Sequence, residues 1–248
     1  MLTLGGFVGA DYLPVDVIAE RQLEALLVLG VYDHRYLANL SEVQAGVIVL
    51  DLDAVDIGID SVSFDHIGSG IAMLQHLVSL GKRRIAYVGR PIAPTKPAAF
   101  QKEYDACARE RYEGYLAGLR ACGLRPEERL IRITEVQGEE AARIALKELI
   151  ALDDPPEAIV AESPSSTLKF LRESGLSDRI AVAGWAPKDI YTVQGSTMAC
   201  TALADFEPLG IAAMEVLAYR LAHPEGPVQR RRVFPKIMKP DGSVLAVA

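Results

Sequence analysis

The chain is predicted to be α/β, with parallel sheets flanked by helices. Two observations carry this. Strand-like and helix-like segments alternate along the sequence, and several strand candidates are short, continuous and apolar, the pattern of strands covered on both faces. Strands of that kind pair in parallel through right-handed crossovers. Half of the 248 residues are hydrophobic, enough to fill one large domain or two lobes.

In chain order, strands are expected near residues 25–29, 46–50, 84–88, 130–133, 158–161, 180–183, 201–203 and 232–234, with another short apolar strand closed by Asp65. Helices are expected near 69–80, 103–121, 139–152, 164–173 and 208–221. The helix at 69–80 rests on Ile71, Leu74, Leu77 and Val78, which recur at helical spacing. Gly81 fits its C′ stop, and Lys82, Arg83 and Arg84 sit near the negative end of its dipole. His76 falls on this helix beside Leu77 and reads as a packing residue. Arg111, Gly114 and Tyr115 lie on the amphipathic helix at 103–121. Pro164 suits a first helical turn, which makes Glu162 and Ser163 a candidate N-cap pair. The segment 90–97, RPIAPTKP, carries three prolines after a strand and is the most linker-like stretch.

Charge and composition exclude several function classes. The net charge is −7, whereas a chain that gripped DNA by itself would carry a basic face. The only dense basic run, Arg230, Arg231 and Arg232, continues into Val233 and Phe234 and reads as a solvated strand entry. No apolar run approaches the ~20 residues of a membrane span. The start, MLTLGGFVGADYLP, lacks the basic and apolar regions of a secretory signal. Cys107, Cys122 and Cys200 are odd in number and widely spaced, as expected of reduced cytosolic thiols. Gly68-Ser69-Gly70 is not a nucleophile elbow, Gly5, Gly6 and Gly9 do not spell a dinucleotide-binding loop, and no phosphate-binding P-loop occurs. His34, His66, His76 and His223 show no metal-ligand spacing. The expectation is therefore a non-enzyme without cofactor or metal.

Taken in order, D-x-x-x-S-G from Asp65, H-L-x-x-L-G-K-R-R-I-A-x-V-G from His76 and R-x-x-G-Y-x-x-x-L from Arg111 closely resemble the effector-binding core of lactose-repressor-type (LacI/GalR) bacterial transcription regulators. The likeness continues through EAIVA at 157–161, RIAVAGW at 179–185, ADFEPLG at 204–210 and VFPKIMK at 233–239. It covers roughly residues 24–240; each motif is weak alone, and their order and spacing together are strong.

The resemblance implies a two-lobed periplasmic-binding-protein-like fold. The first lobe would hold residues 1–90 with 205–222, and the second 91–204 with 223–248. It further implies a cytoplasmic homodimer that binds a small polar effector or sugar between its lobes and meets DNA only through a headpiece, with no membrane partner. That headpiece and the first strand-helix unit have no counterpart before Ala25, where only residues 1–9 could supply a family strand, so a sheet edge is expected to be exposed. A self-association surface is expected near that edge and the helix at 69–80. An alternative is a transport-type solute-binding protein of the same fold, against which the missing signal sequence counts.

By the same resemblance, Arg111 and Phe206 match ligand contacts, and Trp185 offers an aromatic wall. Where the family has Asn-Asp, this chain has Glu162 and Ser163, and where it has Asp-Asn, this chain has Asp65 and His66. An aspartate usual after the Gly-aromatic pair is replaced by Ala186. These departures argue against a typical sugar, and the lost aspartate tilts the expectation towards a less hydroxyl-rich or anionic ligand. Each residue also has a structural reading. Arg111 can pair with Glu110, Glu113 or another surface acid; Asp65 can cap the following helix; His66 can be a satisfied loop histidine; Trp185 and Phe206 can be core; Ser163 can be only a cap. Asp33, with His34, lies in a strand-to-helix loop, a usual place for ligand contacts in parallel sheets.

Overall fold

The structure, a computed structural model, describes residues 2–5, 14–21, 23–31, 34–43, 46–90, 92, 106–134, 138–187 and 198–246. Its strands are β1 (Leu2–Gly5), β2 (Ala25–Leu29), β3 (Gly46–Leu50), β4 (Asp60–Phe64), β5 (Ile85–Gly89), β6 (Ile131–Ile133), β7 (Ala158–Ala161), β8 (Ala181–Pro187), β9 (Cys200–Ala204), β10 (Arg230–Val233) and β11 (Ile237–Met238). Its helices are α1 (Val15–Ala19), α2 (His34–Leu40), α3 (His66–Ser79), α4 (Ala106–Ala121), α5 (Glu139–Ile150), α6 (Pro164–Glu173) and α7 (Phe206–Ala222). The strands form two sheets, and the chain divides into two compact units.

Unit 1 is a five-stranded sheet in the order β1-β2-β3-β4-β10, parallel throughout. Leu26, Val28, Ile48 and Val62 are fully buried in it. Helix α7 lies against β3, β4 and β10 and buries Leu209, Ala213 and Val216. Fully burying a leucine or valine side chain contributes about 1.5–3 kcal/mol, so Leu209 and Val216 fix α7 on the sheet. Edge strand β10 pairs Arg230–Val233 with Ser61–Phe64. The arginine run is solvated as expected: Arg230 and Arg232 reach Asp53, and Arg231 faces Glu215 on α7.

Unit 2 is a six-stranded sheet in the order β11-β9-β8-β7-β5-β6, parallel except where β11 meets β9. Successive strand residues face opposite sides. Ile85, Tyr87, Ala158, Val160, Ala183 and Trp185 enter the core beneath α3 and α4. Ala86, Val88, Ile159, Ala161 and Val182 enter the core beneath α5 and α6 with Leu146, Leu149 and Phe170. Both faces are covered, which is why these strands are continuous apolar runs in the sequence. Helix α3 ends as expected: Gly81 takes φ 81°, its N–H bonds the Val78 carbonyl, and the Lys82 N–H bonds the Leu77 carbonyl. Cys122 and Cys200 are thiols outside any disulfide.

The lobe boundaries differ from those expected. Helix α3 and strand β5, expected in the first lobe, belong to unit 2, because α3 buries Met73, Leu74 and Leu77 there and β5 pairs with β6 and β7. Strand β10, expected in the second lobe, pairs with β4 in unit 1. The described chain crosses between units after Phe64, Asp205 and Val233. Of the linker-like stretch 90–97, all but Arg90 and Ile92 lies outside the described residues.

One ion pair ties unit 1 together. Arg220, near the end of α7, donates from Nε (2.7 Å) and Nη2 (2.8 Å) to the two oxygens of buried Asp60 at the start of β4. Its Nη1 donates to the carbonyls of Pro224 (2.9 Å) and Gly226 (2.8 Å), pinning the turn that leads to β10. Asp60 also accepts the Gln229 N–H at 2.8 Å. Removing one partner of such a pair strands the other, so Arg220→Ala is expected to cost about 3–5 kcal/mol. Chemical denaturation checks this; a loss below about 1 kcal/mol, the worth of a surface pair, contradicts the pinning role.

Candidate functional site

The chemistry-bearing residues of unit 2 gather where parallel strands end. Strand β7 runs out at Ala161, and the next residue, Glu162, is an acid with only 1% of its side chain exposed. Its backbone N–H still bonds the Val88 carbonyl on β5 at 3.0 Å, so the strand geometry carries the side chain to the sheet's end. Ligand contacts in open parallel sheets occur at such carboxyl ends.

A buried carboxylate needs partners, and these arrive from separate elements. Tyr87 on β5 donates its hydroxyl to Glu162 Oε1. Arg90, just past β5, places Nε 3.4 Å from Oε2, and its backbone N–H donates to Oε1 at 3.4 Å. Arg111 on α4 places Nη1 3.7 Å from Oε2, with 11% of its side chain exposed. Burial, reinforced by the neighbouring Glu162 charge, pushes the Tyr87 phenol well above its ordinary value, so it stays a neutral donor.

Arg111 is held on two further sides. Its guanidinium carbon sits 5.6 Å from the centre of the Trp185 ring, a cation–π arrangement. Its Nε donates a long bond of 3.5 Å to His66 Nδ1. The Trp185 indole N–H donates to the Ser69 hydroxyl at 3.0 Å, and that hydroxyl donates to the His66 carbonyl at 3.1 Å. Close helix packing brings these groups together. A Cβ on Gly70 of α3 would lie 2.7 Å from the Gly114 carbonyl carbon of α4, so only glycines permit this approach. Arg111 stands one turn before Gly114, which places its guanidinium beside the first residue of α3.

The expected site residues therefore separate. Arg111, Trp185, His66 and Glu162 form one cluster in unit 2. Arg111 meets a buried acid, Glu162, where a surface acid was the structural expectation. His66 is the buried first residue of α3, not a loop histidine, because the helix starts directly after Asp65. Asp65 caps α3 by accepting the Gly68 N–H at 2.7 Å. Ser163 occupies the N-cap position of α6, but its hydroxyl makes no cap bond; Pro164 supplies no N–H, and the Thr167 hydroxyl instead donates to the Ser163 carbonyl at 3.1 Å. Phe206 opens α7 in unit 1, half exposed and edge-on to Phe64 at 5.7 Å. Asp33 lies outside the described residues, as does the side chain of His34. Tyr87, Arg90 and Ser69 were not expected in the cluster. Tyr87 reads in sequence as strand core; the available signal was its place two residues before the end of β5, level with Val160 on β7.

A model of the periplasmic binding protein-like domain matches residues 74–240. The chain belongs to that family. Solved structures share the fold of this periplasmic binding protein-like domain. A regulatory protein of the LacI family from Chloroflexus aggregans gives a TM-score of 0.76 at 17% identity, over 93% of this chain and 80% of that one. A LacI transcriptional regulator from a Rhodococcus species gives 0.72 at 21%, over 91% and 80%. The transcriptional regulator CelR, in complex with cellobiose, gives 0.71 at 20%, over 92% and 68%. Comparison with curated proteins gives no match. No helix among the described residues is long and apolar enough to cross a membrane.

Tyr87 gives the domain a pH signature. Tyr115, whose hydroxyl donates to the Ile85 carbonyl at 2.9 Å, is likewise raised by burial. Both phenols keep their protons in the fold at pH values where the unfolded chain, near 10.0, has lost them. Their stabilisation is intact below pH 10 and lost as the pH rises towards the higher folded-state values. Melting temperature should fall above pH 10 more steeply in wild type than in Tyr87→Phe, and tyrosinate absorbance should stay short of all nine tyrosines until unfolding. Equal slopes would show that Tyr87 titrates freely.

Proposed function

We propose that this chain is the effector-binding unit of a lactose-repressor-type transcription regulator, binding a small polar molecule at the Arg111 cluster. The carrying observation is the convergence of Arg90, Arg111, Glu162 and Trp185 at the strand ends of unit 2, on a fold shared with LacI-family regulators. The cellobiose in the CelR complex supports a sugar-sized polar ligand. The protein acts by binding in the cytoplasm and catalyses nothing; the effector favours one arrangement of the chain over another through its differential affinity. DNA is contacted through a separate headpiece.

Trp185 is the only tryptophan, and it lies beneath Arg111, so a ligand that engages the guanidinium should change its fluorescence. The test is a titration of sugars, polyols and other small polar molecules, followed by the same titration of Arg111→Ala with whichever ligand saturates the signal. Losing a charge-assisted hydrogen bond of this kind should weaken binding roughly ten- to a hundred-fold. Equal affinity in the variant would remove Arg111 from the site.

The chain is further proposed to self-associate. Helix α7 supports this: Ile211, Met214 and Leu221 are each at least half exposed, and apolar patches on soluble proteins mark contact surfaces. The apolar face of α3, by contrast, is buried within unit 2. Light scattering should give a dimer mass that Met214→Glu reduces to the monomer; a monomer mass for wild type at high concentration contradicts the proposal.

A further inference from the structure

Glu162 bears on which ligands the cluster accepts. Two guanidiniums at the end of a sheet would ordinarily make an anion site, since their donor forks match carboxylate and phosphate oxygens. Here a carboxylate of the protein's own already occupies the space between them. Glu162 Oε2 lies 3.4 Å from Arg90 Nε and 3.7 Å from Arg111 Nη1. Its other oxygen accepts the Tyr87 hydroxyl and the Arg90 N–H. The carboxylate is thus held at its strand end by Tyr87 from below and by two cations from the sides. With 1% of its side chain exposed, it interacts with those cations through a poorly screened medium.

We infer that Glu162 is a built-in counter-ion that excludes anions from the Arg90–Arg111 pair and selects uncharged polar ligands. The inference rests on the effector-binding reading of this cluster. A ligand carboxylate or phosphate approaching the arginines must enter the field of Glu162, or displace a group that competes at the high effective concentration of an intramolecular partner. An uncharged hydroxyl meets no such repulsion. It can donate to Glu162 or accept from Arg111 without separating the pair. The expectation from sequence, that the missing aspartate at Ala186 tilts the ligand towards a less hydroxyl-rich or anionic one, is reversed on this reading: the negative charge absent at Ala186 is supplied by Glu162, just after β7.

Inorganic phosphate serves as the probe, against sodium chloride of matched ionic strength, with Trp185 fluorescence and melting temperature as readouts. Wild type should show no saturable response to phosphate. Glu162→Gln preserves shape and removes the negative charge that both arginines face. It should bind phosphate saturably, at least about tenfold more tightly than wild type, as expected for gaining a charge-assisted partner. The double variant Glu162→Gln with Arg111→Gln should lose that gain. If Glu162→Gln fails to fold in chloride, phosphate should restore its structure by circular dichroism, and Glu162→Ala should be rescued by acetate, which refills the carboxylate position. Saturable phosphate binding by wild type, a folded Glu162→Gln that responds no better than wild type, or variants that neither salt restores would each overturn the inference. None of these outcomes touches the effector-binding reading, which is tested on wild type with uncharged ligands.

Discussion

Placing a carboxylate at a covered strand end is the constraint around which unit 2 is arranged. Left unpartnered, an ionised acid in a poorly solvated position would neutralise or destabilise the fold. Among the described residues, partners converge on Glu162 from two directions: β5 and the residue after it bring Tyr87 and Arg90, and α4 brings Arg111. The pairing of β5 with β7 is therefore more than a ladder of backbone bonds. It sets Tyr87 level with Val160, so the phenol rises along the same face and ends at the acid two residues further on. Shift that register by one residue and the phenol would turn to the core beneath α5 and α6.

The third partner depends on helix packing. An ordinary interhelical distance would hold α4 too far from α3 for Arg111 to meet both Glu162 and His66. The Gly70 and Gly114 contact removes the side chains that would keep the backbones apart. What is lost in buried apolar area at that point is recovered one turn later, where Leu74 and Leu77 of α3 and Tyr115 and Leu119 of α4 share a core. Trp185 then serves two ends at once. Its ring is core for α3 and a platform for Arg111, and its N–H is satisfied by Ser69. The indole thus fills the core and supports a charged side chain at the same time.

What the sequence makes legible follows from how local each signal is. Strands β3, β5 and β7 are short apolar runs bounded by polar residues, and α6 is framed by Ser163 and Pro164, so a window of ten residues suffices to find them. The end of α3 is equally local, because Gly81 alone determines the left-handed stop. The lobe to which β10 belongs is not local: nothing in Arg230–Val233 reveals that its partner is Ser61–Phe64, far earlier in the chain. The site divides the same way. Arg111 and Glu162 stand out as charged residues near strand ends and helices. Tyr87 is hidden because an aromatic in a buried strand looks the same whether its hydroxyl meets an acid or a carbonyl, as Tyr115 shows by choosing the Ile85 carbonyl.

The cluster's charges also hold one another in place. A group that transfers protons needs a pKa near the working pH. Tyr87 is driven the other way, further from neutrality, by burial and by the acid it serves. Glu162 is committed to two cations and a phenol, and Arg111 is fixed by Glu162, Trp185 and His66 together. Groups held in this way present an array of donors and acceptors at the end of a rigid sheet. Such preorganisation lowers the cost of ordering side chains when a ligand binds, and here it comes from the sheet and the helix packing together.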